Sequence, residues 1–146
     1  MSPARAQMPR LHPLGDAALL CELPAPATLE AQQSIWALGA QAARWPGVLE
    51  LLPGMNNLTL SFDPGQIDRQ SLEEKVRDAW PGLAAGAVAG REIDIPVAYG
   101  GDDGPDLEHV AEHCGLTPHE VVRRHSQAHY VVYFLGFLPG FAFMGG

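Results

Sequence analysis

Hydrophobic residues in the first half of the chain alternate between the period of a strand and the period of a helix. Leu11–Leu14 and Ala17–Leu23 predict two short strands on either side of a Gly-Asp turn. Apolar residues at helical spacing then predict a helix that is capped by Thr28 and runs to about Trp45. A Pro-Gly pair follows and would end this helix.

The same order of elements then repeats. Val48–Leu52 and Leu58–Phe62 predict a second pair of strands joined by a turn-rich connection. Ser71 and Glu74 have the spacing of a capping box and predict the start of a second helix. That helix would run to Trp80, where a second Pro-Gly pair would end it.

These elements predict an α+β fold with two layers. The order strand-strand-helix-strand-strand-helix indicates an antiparallel sheet with both helices on one face, formed by an N-terminal domain of residues 11–83. We expect residues 1–10 to be a disordered tail. Residues 84–90 are small and flexible, which is typical of a linker. Residues 91–146 would then begin a further domain.

That further domain is predicted to open with a strand. Beginning at Arg91, the residues Ile93, Ile95, Val97 and Tyr99 alternate with less apolar positions. A loop rich in glycine and aspartate follows, and two short helices are predicted after it.

The first of these helices would end at a glycine, and its predicted inward face contains Leu107, Val110, Ala111 and Cys114. The second is predicted to start at the cap Thr117, with proline in its first turn and glutamate three residues after the cap. Its inward face would contain Val121, Val122 and His125.

The segment Tyr130–Gly146 has four phenylalanines and two tyrosines but no charged side chain. It is shorter than the about 20 apolar residues of a transmembrane helix and is broken by glycines, so we predict no membrane span. Two aromatic strands around a Leu-Pro-Gly turn, the first of them buried, are the favoured interpretation. Contiguous apolar surface is typical of an interface, so we expect self-association through residues 130–146 unless a partner covers them.

Composition argues against several classes of protein. The net charge of −8 and the lack of a stripe of Lys and Arg argue against nucleic-acid binding. No apolar stretch near the N-terminus is long enough for a signal peptide, so we expect a cytoplasmic protein. Cys21 and Cys114 lie far apart among apolar neighbours, which predicts two buried, reduced thiols.

Acidic and histidine side chains are the candidate metal ligands. His109 and His113 match the spacing of one zinc-peptidase class, but they lie opposite the apolar stripe of a short acidic helix and lack an evident third ligand. Asp102, Asp103 and Asp106 do not have the spacing of an EF-hand loop. We therefore predict no metal site in this chain.

The position of His125 is different, because it lies on the apolar face of its predicted helix and is followed by Ser126. It is either a satisfied core residue or part of a pocket wall. The aromatic segment also has two interpretations. Its glycines and aromatic side chains suit a ligand groove, while composition slightly favours a crowded barrel turn. The sequence contains no nucleophile elbow, P-loop or dinucleotide fingerprint.

Four motifs occur in order: PGMNNLTLSFDP at residues 53–64, IPVAYGGDDGPDL at 95–107, EVVRRHS at 120–126 and YFLGFLPGFAFMGG at 133–146. Together they resemble the KipI / allophanate hydrolase subunit 1 family, which includes the bacterial B subunit of 5-oxoprolinase and is also described as a carboxyltransferase domain. The last motif is long and specific, and the resemblance extends over nearly the whole chain.

The resemblance implies a small α+β domain followed by a cyclophilin-like β-barrel. It implies a complex with a homologous cyclophilin-like partner, the C subunit, and with a barrel-type third subunit, which together convert 5-oxo-L-proline to L-glutamate with ATP. Other family members inhibit a sensor histidine kinase, or form part of the carboxyltransferase region of allophanate hydrolase or urea carboxylase, and these activities remain alternatives.

Family members continue well past the final Gly-Gly pair, so residues 91–146 would supply only the first part of the barrel. We therefore interpret the chain as C-terminally truncated and expect it to be inactive alone. The His-Ser position and the aromatic motif of the family predict the residues of a substrate pocket, which are His125, Ser126, Phe137, Pro139, Gly140 and Phe141.

Overall fold

The computed structural model describes residues 7–83 and 90–145. They form two compact units. The first contains residues 7–83 and 132–145, and the second contains residues 90–131. Among the helices in these ranges, none combines the length and the apolar character that crossing a membrane requires.

A four-stranded antiparallel sheet forms the base of the first unit. Its strands are β1 (Arg10–Leu14), β2 (Ala18–Glu22), β3 (Val48–Gly54) and β4 (Asn57–Phe62). They lie in the order β1-β2-β4-β3, so β2 and β4 are central although they are not consecutive in the chain. Gly15 makes the predicted turn between β1 and β2 with a φ of +61°, a conformation that favours glycine.

The boundaries of the first unit differ slightly from those expected. Strand β1 begins at Arg10, inside the segment 1–10 that was expected to be a tail, and Pro9 before it is buried. Residues 1–6 of that tail lie outside the described residues, as do residues 84–89 of the expected linker.

Helix α1 (Leu29–Ala42) begins where the sequence predicts. The side chain of Thr28 accepts a hydrogen bond from a backbone N–H of the first turn at 3.1 Å, which confirms it as the cap. The helix ends three residues before Trp45, because the N–H of Trp45 donates to the carbonyl of Ala42 in a closing turn. Pro46 follows and has no N–H with which to continue the helix.

Helix α2 (Arg69–Ala79) has a different cap from the one predicted. The carboxylate of Asp68 accepts hydrogen bonds from the N–H of Ser71 at 2.9 Å and from its hydroxyl at 2.8 Å. The predicted capping box of Ser71 and Glu74 is therefore wrong, because both residues lie inside the helix. Glu74 instead accepts a hydrogen bond from the side chain of Gln70 at 3.1 Å.

One face of the sheet and both helices share a single hydrophobic core, which confirms the predicted two-layer arrangement. In β4 the buried and partly buried residues alternate strictly, as the two-residue period of a strand requires. The largest fully buried side chains come from both layers, and they include Leu19, Ile35, Leu38, Leu58, Leu60, Phe62, Leu72 and Val76.

Cys21 belongs to this core and is a free thiol, as predicted. Burial, together with a smaller effect of the negative charge of Glu73, raises its pKa to about 12. The thiol therefore remains protonated and unreactive at neutral pH.

Both outer strands of the sheet contain irregularities. Strand β1 carries Pro13, and strand β3 carries Pro53. Strand β3 also has a β-bulge between Val48 and Glu50, and the side chain of the extra residue, Leu49, is 67% exposed. Each irregularity interrupts the regular row of hydrogen-bonding groups at an edge of the sheet.

The aromatic segment forms a two-stranded hairpin of β5 (Val131–Leu135) and β6 (Ala142–Gly145). Two strands around a Leu-Pro-Gly turn are confirmed. The expectation that the first strand is buried is wrong, because Val132 and Leu135 are exposed and the other residues of β5 are only partly buried. A two-stranded ribbon leaves one face of its strands with little to cover it.

The second unit has two helices, α3 (Leu107–Cys114) and α4 (Pro118–Gln127). The strand predicted from Arg91 is absent from the described residues 90–99, and Ile93 and Ile95 are 61% and 73% exposed. Alternation alone does not make a strand, because its backbone also needs a neighbouring strand for hydrogen bonding.

The inward face predicted for α3 is only partly correct. Ala111 is buried, whereas Val110 and Cys114 are exposed, because α3 is only eight residues long and buries a single narrow line of its surface. The prediction of two buried thiols is therefore wrong for Cys114. Gly115 ends the helix in the left-handed conformation, with a φ of +63°.

Candidate functional site

Tyr99 and His125 form the centre of a polar cluster in the second unit. The hydroxyl oxygen of Tyr99 lies 2.5 Å from Nδ1 of His125, although the two residues are 26 positions apart in the sequence. Their rings meet edge to face, with centroids 5.7 Å apart and an angle of 80° between the planes. The contact therefore fixes both the position and the rotation of the imidazole.

The loop after Tyr99 holds that tyrosine in place. Gly100 has a φ of +75°, which favours glycine, and its carbonyl accepts a hydrogen bond from the N–H of Gly104 at 3.1 Å. A side chain on Gly104 would collide with the backbone of Gly100, so both glycines are needed for the close turn. A groove of about 260 Å³ opens beside this turn, and its wall includes Tyr99, Asp103 and Asp106.

Helix α4 places His125 in its last turn. The helix is capped by Thr117, whose side chain accepts a hydrogen bond from the N–H of Glu120 at 3.2 Å, as predicted. The Glu120 carboxylate accepts further bonds from Arg123 and Arg124 on the next turn. Hydrogen bonds from Arg123 and then Arg124 lower the pKa of Glu120 to about 2, so it is charged at neutral pH.

The imidazole of His125 is exposed, which contradicts the prediction that it points inward from its helix. Short helices in a small unit have too little apolar surface to bury it. Tyr130 contacts it instead, with ring centroids 5.7 Å apart and a hydroxyl that donates to the carbonyl of His125 at 3.4 Å. The hydroxyl of Ser126 donates to the carbonyl of Arg123 within the helix at 3.4 Å.

The other predicted pocket residues lie at the tip of the hairpin. The N–H of Leu138 donates to the carbonyl of Gly136 at 2.8 Å, which makes a γ-turn centred on Phe137. Phe137 has a φ of +68°, a rare and strained conformation for a bulky residue, and its side chain is 86% exposed. Pro139 and Gly140 occupy the middle of the following turn.

Phenylalanine rings continue from this tip along the hairpin. The ring of Phe137 meets that of Phe141 edge to face at 6.0 Å, and Phe141 meets Phe143 at 5.2 Å. Phe143 in turn stacks on Phe134, with centroids 4.4 Å apart and an angle of only 8° between the planes. The hairpin therefore presents a continuous aromatic surface that ends in an exposed ring.

The six predicted pocket residues thus form two groups. His125 and Ser126 lie in the second unit. The other four belong to the first unit, and they are Phe137, Pro139, Gly140 and Phe141. Their membership of one pocket stays a prediction. Sequence reasoning missed Tyr99 as a partner of His125, and the only available signal was its place directly before the glycine-rich loop.

No group of three or more His, Cys, Asp or Glu side chains in residues 7–83 and 90–145 is arranged to hold a metal ion. His109 and His113 are both exposed. Nothing in these ranges therefore supports a zinc site at that pair, and the predicted lack of metal stays a prediction.

A family model described as the carboxyltransferase domain, subdomains C and D, matches residues 9–146. The chain belongs to this family. This match confirms the family resemblance that the four sequence motifs indicate.

Three curated members of the family, each named as the B subunit of 5-oxoprolinase, are similar to this chain. The protein of Escherichia coli O157:H7 is 42% identical over 95% of the chain, that of Haemophilus influenzae is 37% identical over 92%, and that of Bacillus subtilis is 35% identical over 94%. The chain covers 64%, 62% and 62% of these relatives, respectively, so it spans a little under two thirds of their length.

Two solved structures are similar to this chain in fold. The crystal structure of TTHA0988 is 32% identical with a TM-score of 0.69, and the match covers 87% of this chain and 24% of that one. The urea amidolyase of K. lactis has a TM-score of 0.62 over 86% of this chain and 9% of its own, at 17% identity. The second likeness concerns the fold alone.

Proposed function

We propose that this chain supplies the B subunit of an ATP-dependent 5-oxoprolinase complex, which converts 5-oxo-L-proline to L-glutamate. The observation that carries the proposal is its identity of 35–42% to three relatives that bear the name of this subunit, over at least 92% of the chain. The reaction adds water across the amide bond of a five-membered ring, and it acts on a substrate with a carboxylate and a ring carbonyl.

The described side chains suit part of such a task. His125 and the neighbouring Ser126 would offer polar groups to the substrate's oxygen atoms, and Phe137 and Phe141 would supply an apolar wall for its ring carbons. Pro139 and Gly140 would shape the turn that presents these phenylalanines. We propose the residues of each group as substrate-binding candidates, completed by partner subunits.

The groove beside Tyr99 does not suit ATP. Asp103 and Asp106 line it, and their negative charges would repel a triphosphate. The sequence also contains no P-loop that could hold one. We therefore place the nucleotide on a partner subunit rather than on the described part of this chain.

The partners in this proposal are the homologous cyclophilin-like C subunit and a barrel-type third subunit. Residues 91–146 would form the first part of a cyclophilin-like barrel, and the whole complex would be cytoplasmic. Large exposed aromatic surface in the hairpin supports association with another protein, because isolated soluble proteins seldom expose contiguous patches of this kind.

Complementation tests the proposal. A strain of Escherichia coli that lacks its own B subunit of 5-oxoprolinase would receive either this chain or a chimera, and growth on 5-oxo-L-proline as nitrogen source would be measured. Because the chain covers 64% of the relative from that species, the chimera joins residues 1–146 to the part of that relative that this chain does not cover.

We expect the chimera to restore growth and to copurify with the other subunits, with glutamate formed only when ATP is present. This chain alone is expected to restore little or no growth. A chimera that copurifies with the partner subunits but forms no glutamate from 5-oxo-L-proline would contradict the proposed function.

A further inference from the structure

We infer that Tyr99 is a positioning residue that holds His125 in one tautomer, with the proton on Nε2, so that Nε2–H is offered to a carbonyl or carboxylate oxygen of a ligand. The inference deepens the proposed function and rests on it for the identity of the ligand. Its geometric basis is the distance of 2.5 Å between the Tyr99 hydroxyl and Nδ1, together with the edge-to-face contact of the two rings.

The direction of this hydrogen bond follows from the chemistry of its two partners. A neutral imidazole has one N–H donor and one nitrogen acceptor, whereas a phenol hydroxyl can donate and accept. A phenol is the stronger proton donor of the two, and the imidazole nitrogen is the stronger acceptor. The favoured arrangement is therefore O–H of Tyr99 donating to Nδ1 of His125.

The number of hydrogen-bond donors left without a protein acceptor supports the same direction. If Nδ1 instead donated to the phenol oxygen, the hydroxyl hydrogen of Tyr99 would find no acceptor among the described residues and would have to donate to solvent. With Tyr99 as donor, its hydrogen is used within the pair. The single donor left over is the N–H at Nε2 of His125.

That remaining donor is accessible. His125 is exposed, and within the described residues its Nε2 has no hydrogen-bond partner. The two tyrosine rings restrict how far the imidazole can turn, since Tyr130 contacts it at a centroid distance of 5.7 Å, the same as for Tyr99. A restrained donor of this kind loses little freedom when it binds an oxygen atom.

The class of ligand follows from this chemistry. An N–H donor on a neutral ring pairs with a carbonyl or carboxylate oxygen, and it cannot accept a proton at that nitrogen. The tautomer therefore excludes Nε2 of neutral His125 as a general base and makes it a hydrogen-bond donor. In 5-oxo-L-proline the matching groups are the ring carbonyl and the carboxylate.

Nitrogen chemical shifts of the imidazole test the assignment directly on the 146-residue chain. In ¹⁵N-labelled protein at a pH where the ring is neutral, correlation of the ring carbon-bound protons with both nitrogens separates a protonated nitrogen from an unprotonated one. We expect Nε2 of His125 to be protonated and Nδ1 to be unprotonated and hydrogen-bonded.

The variant Tyr99→Phe keeps the ring and removes only the hydroxyl, so the Nδ1 shift should move toward that of an unbonded nitrogen and the second tautomer should become populated. Tyr130→Phe is the matched control, because the Tyr130 hydroxyl contacts the backbone of His125 and not its ring nitrogen. Protonated Nδ1 in the wild type, or identical shifts in Tyr99→Phe, would overturn the inference.

The kinetics of the complex assembled with the chimera test whether the hydrogen bond from Tyr99 to His125 matters for catalysis. We expect Tyr99→Phe to lower kcat/KM for 5-oxo-L-proline about tenfold, the scale of one hydrogen bond that is no longer held in place. An unchanged kcat/KM would overturn the role in ligand binding. An inactive wild-type complex would contradict the proposed function, while the nitrogen shifts would still decide the tautomer.

Discussion

The indole N–H of Trp36 donates a hydrogen bond to the backbone carbonyl of Tyr133 at a distance of 2.9 Å. The two residues are 97 positions apart, and their rings also meet edge to face with centroids 6.2 Å apart. Trp36 lies in α1 and Tyr133 in β5, so this pair fastens the aromatic hairpin to the first helix.

We expect Trp36→Phe to loosen the hairpin. Phenylalanine keeps an aromatic ring at this position but has no N–H, so the carbonyl of Tyr133 loses its partner. The net loss of one such hydrogen bond is about 0.5–1.5 kcal/mol. Hydrogen exchange of the amides in β5 and β6 should therefore become several-fold faster.

Trp45→Phe is the control for this change. Trp45 is partly buried against the same core, but no side-chain hydrogen bond to the hairpin is seen for it in the described residues. Its replacement should leave the exchange of the hairpin amides unchanged. Equal acceleration in both variants would show that the Trp36 hydrogen bond is not what holds the hairpin.

Loss of a buried polar contact in the first unit should cost more free energy than loss of the Trp36 hydrogen bond. Gln32 is fully buried in α1; its side-chain oxygen accepts from the N–H of Asn56 at 3.0 Å, and its side-chain nitrogen donates to the carbonyl of Gly54 at 3.1 Å. Gln32→Met keeps the length of the side chain but leaves both backbone groups unpaired. We expect it to lower the free energy of unfolding by about 2–4 kcal/mol.

Urea unfolding monitored by tryptophan fluorescence measures this loss, because all three tryptophans lie in the first unit. Gln41→Met, an exposed position on the same helix, should change the free energy of unfolding by less than about 0.5 kcal/mol. A Gln32 variant as stable as this control would show that the buried contact is not needed.

The stability of α4 should depend on pH through Glu120. Its pKa is lowered from 4.5 to about 2 by Arg123 and then Arg124. A carboxyl with a lowered pKa stabilises the folded state above its unfolded pKa, and this contribution is lost as the pH falls toward the folded value. Helical chemical shifts of α4 should therefore weaken between pH 4.5 and about pH 2.

In Glu120→Gln the acidic change should disappear, because glutamine does not titrate and α4 is already weakened at neutral pH. Glu112→Gln on α3 serves as control, since within the described residues its carboxylate has no bond to an arginine. Helical shifts of α4 that respond to acid in the same way with and without Glu120 would contradict the prediction.

We predict that the chain associates through the tip of its hairpin. Phe137 and Leu138 are 86% and 58% exposed, and burial of one large apolar side chain is worth roughly 1.5–3 kcal/mol. Replacing both with serine should weaken self-association by at least that amount in sedimentation experiments. Leu49→Ser, at an apolar position outside the hairpin that is 67% exposed, should have little effect. A wild-type chain that sediments as a monomer and binds no hydrophobic dye would contradict this prediction.

The sequence predicted those parts of the fold whose signals are local. Thr28 and Thr117 are predicted as caps because a threonine hydroxyl at the start of a run with helical periodicity commonly accepts a hydrogen bond from the first turn of the helix. The alternation in Leu58–Phe62 gave the buried face of β4 correctly. At α2 the predicted cap was wrong, because Asp68, three residues before Ser71, caps the helix with its carboxylate.

Features that depend on distant partners could not be predicted in the same way. Ile93 and Ile95 alternate as a strand would, but the sequence does not say whether another strand lies beside them. The contact of Tyr99 with His125 joins residues 26 positions apart, and no local pattern encodes it. The exposure of the His125 side chain depends on how much of the surface of α4 the rest of the second unit can cover.

The prolines and the bulge of the outer strands have a consequence for how this molecule can meet others. Pro13 in β1, and Pro53 with the bulged Leu49 in β3, leave the sheet without a regular edge on which a foreign strand could be added. Strands β5 and β6 contain neither a proline nor a bulge, and each has one open side in the described part of the chain. A strand from another molecule would therefore pair with the hairpin of β5 and β6 rather than with an edge of the four-stranded sheet.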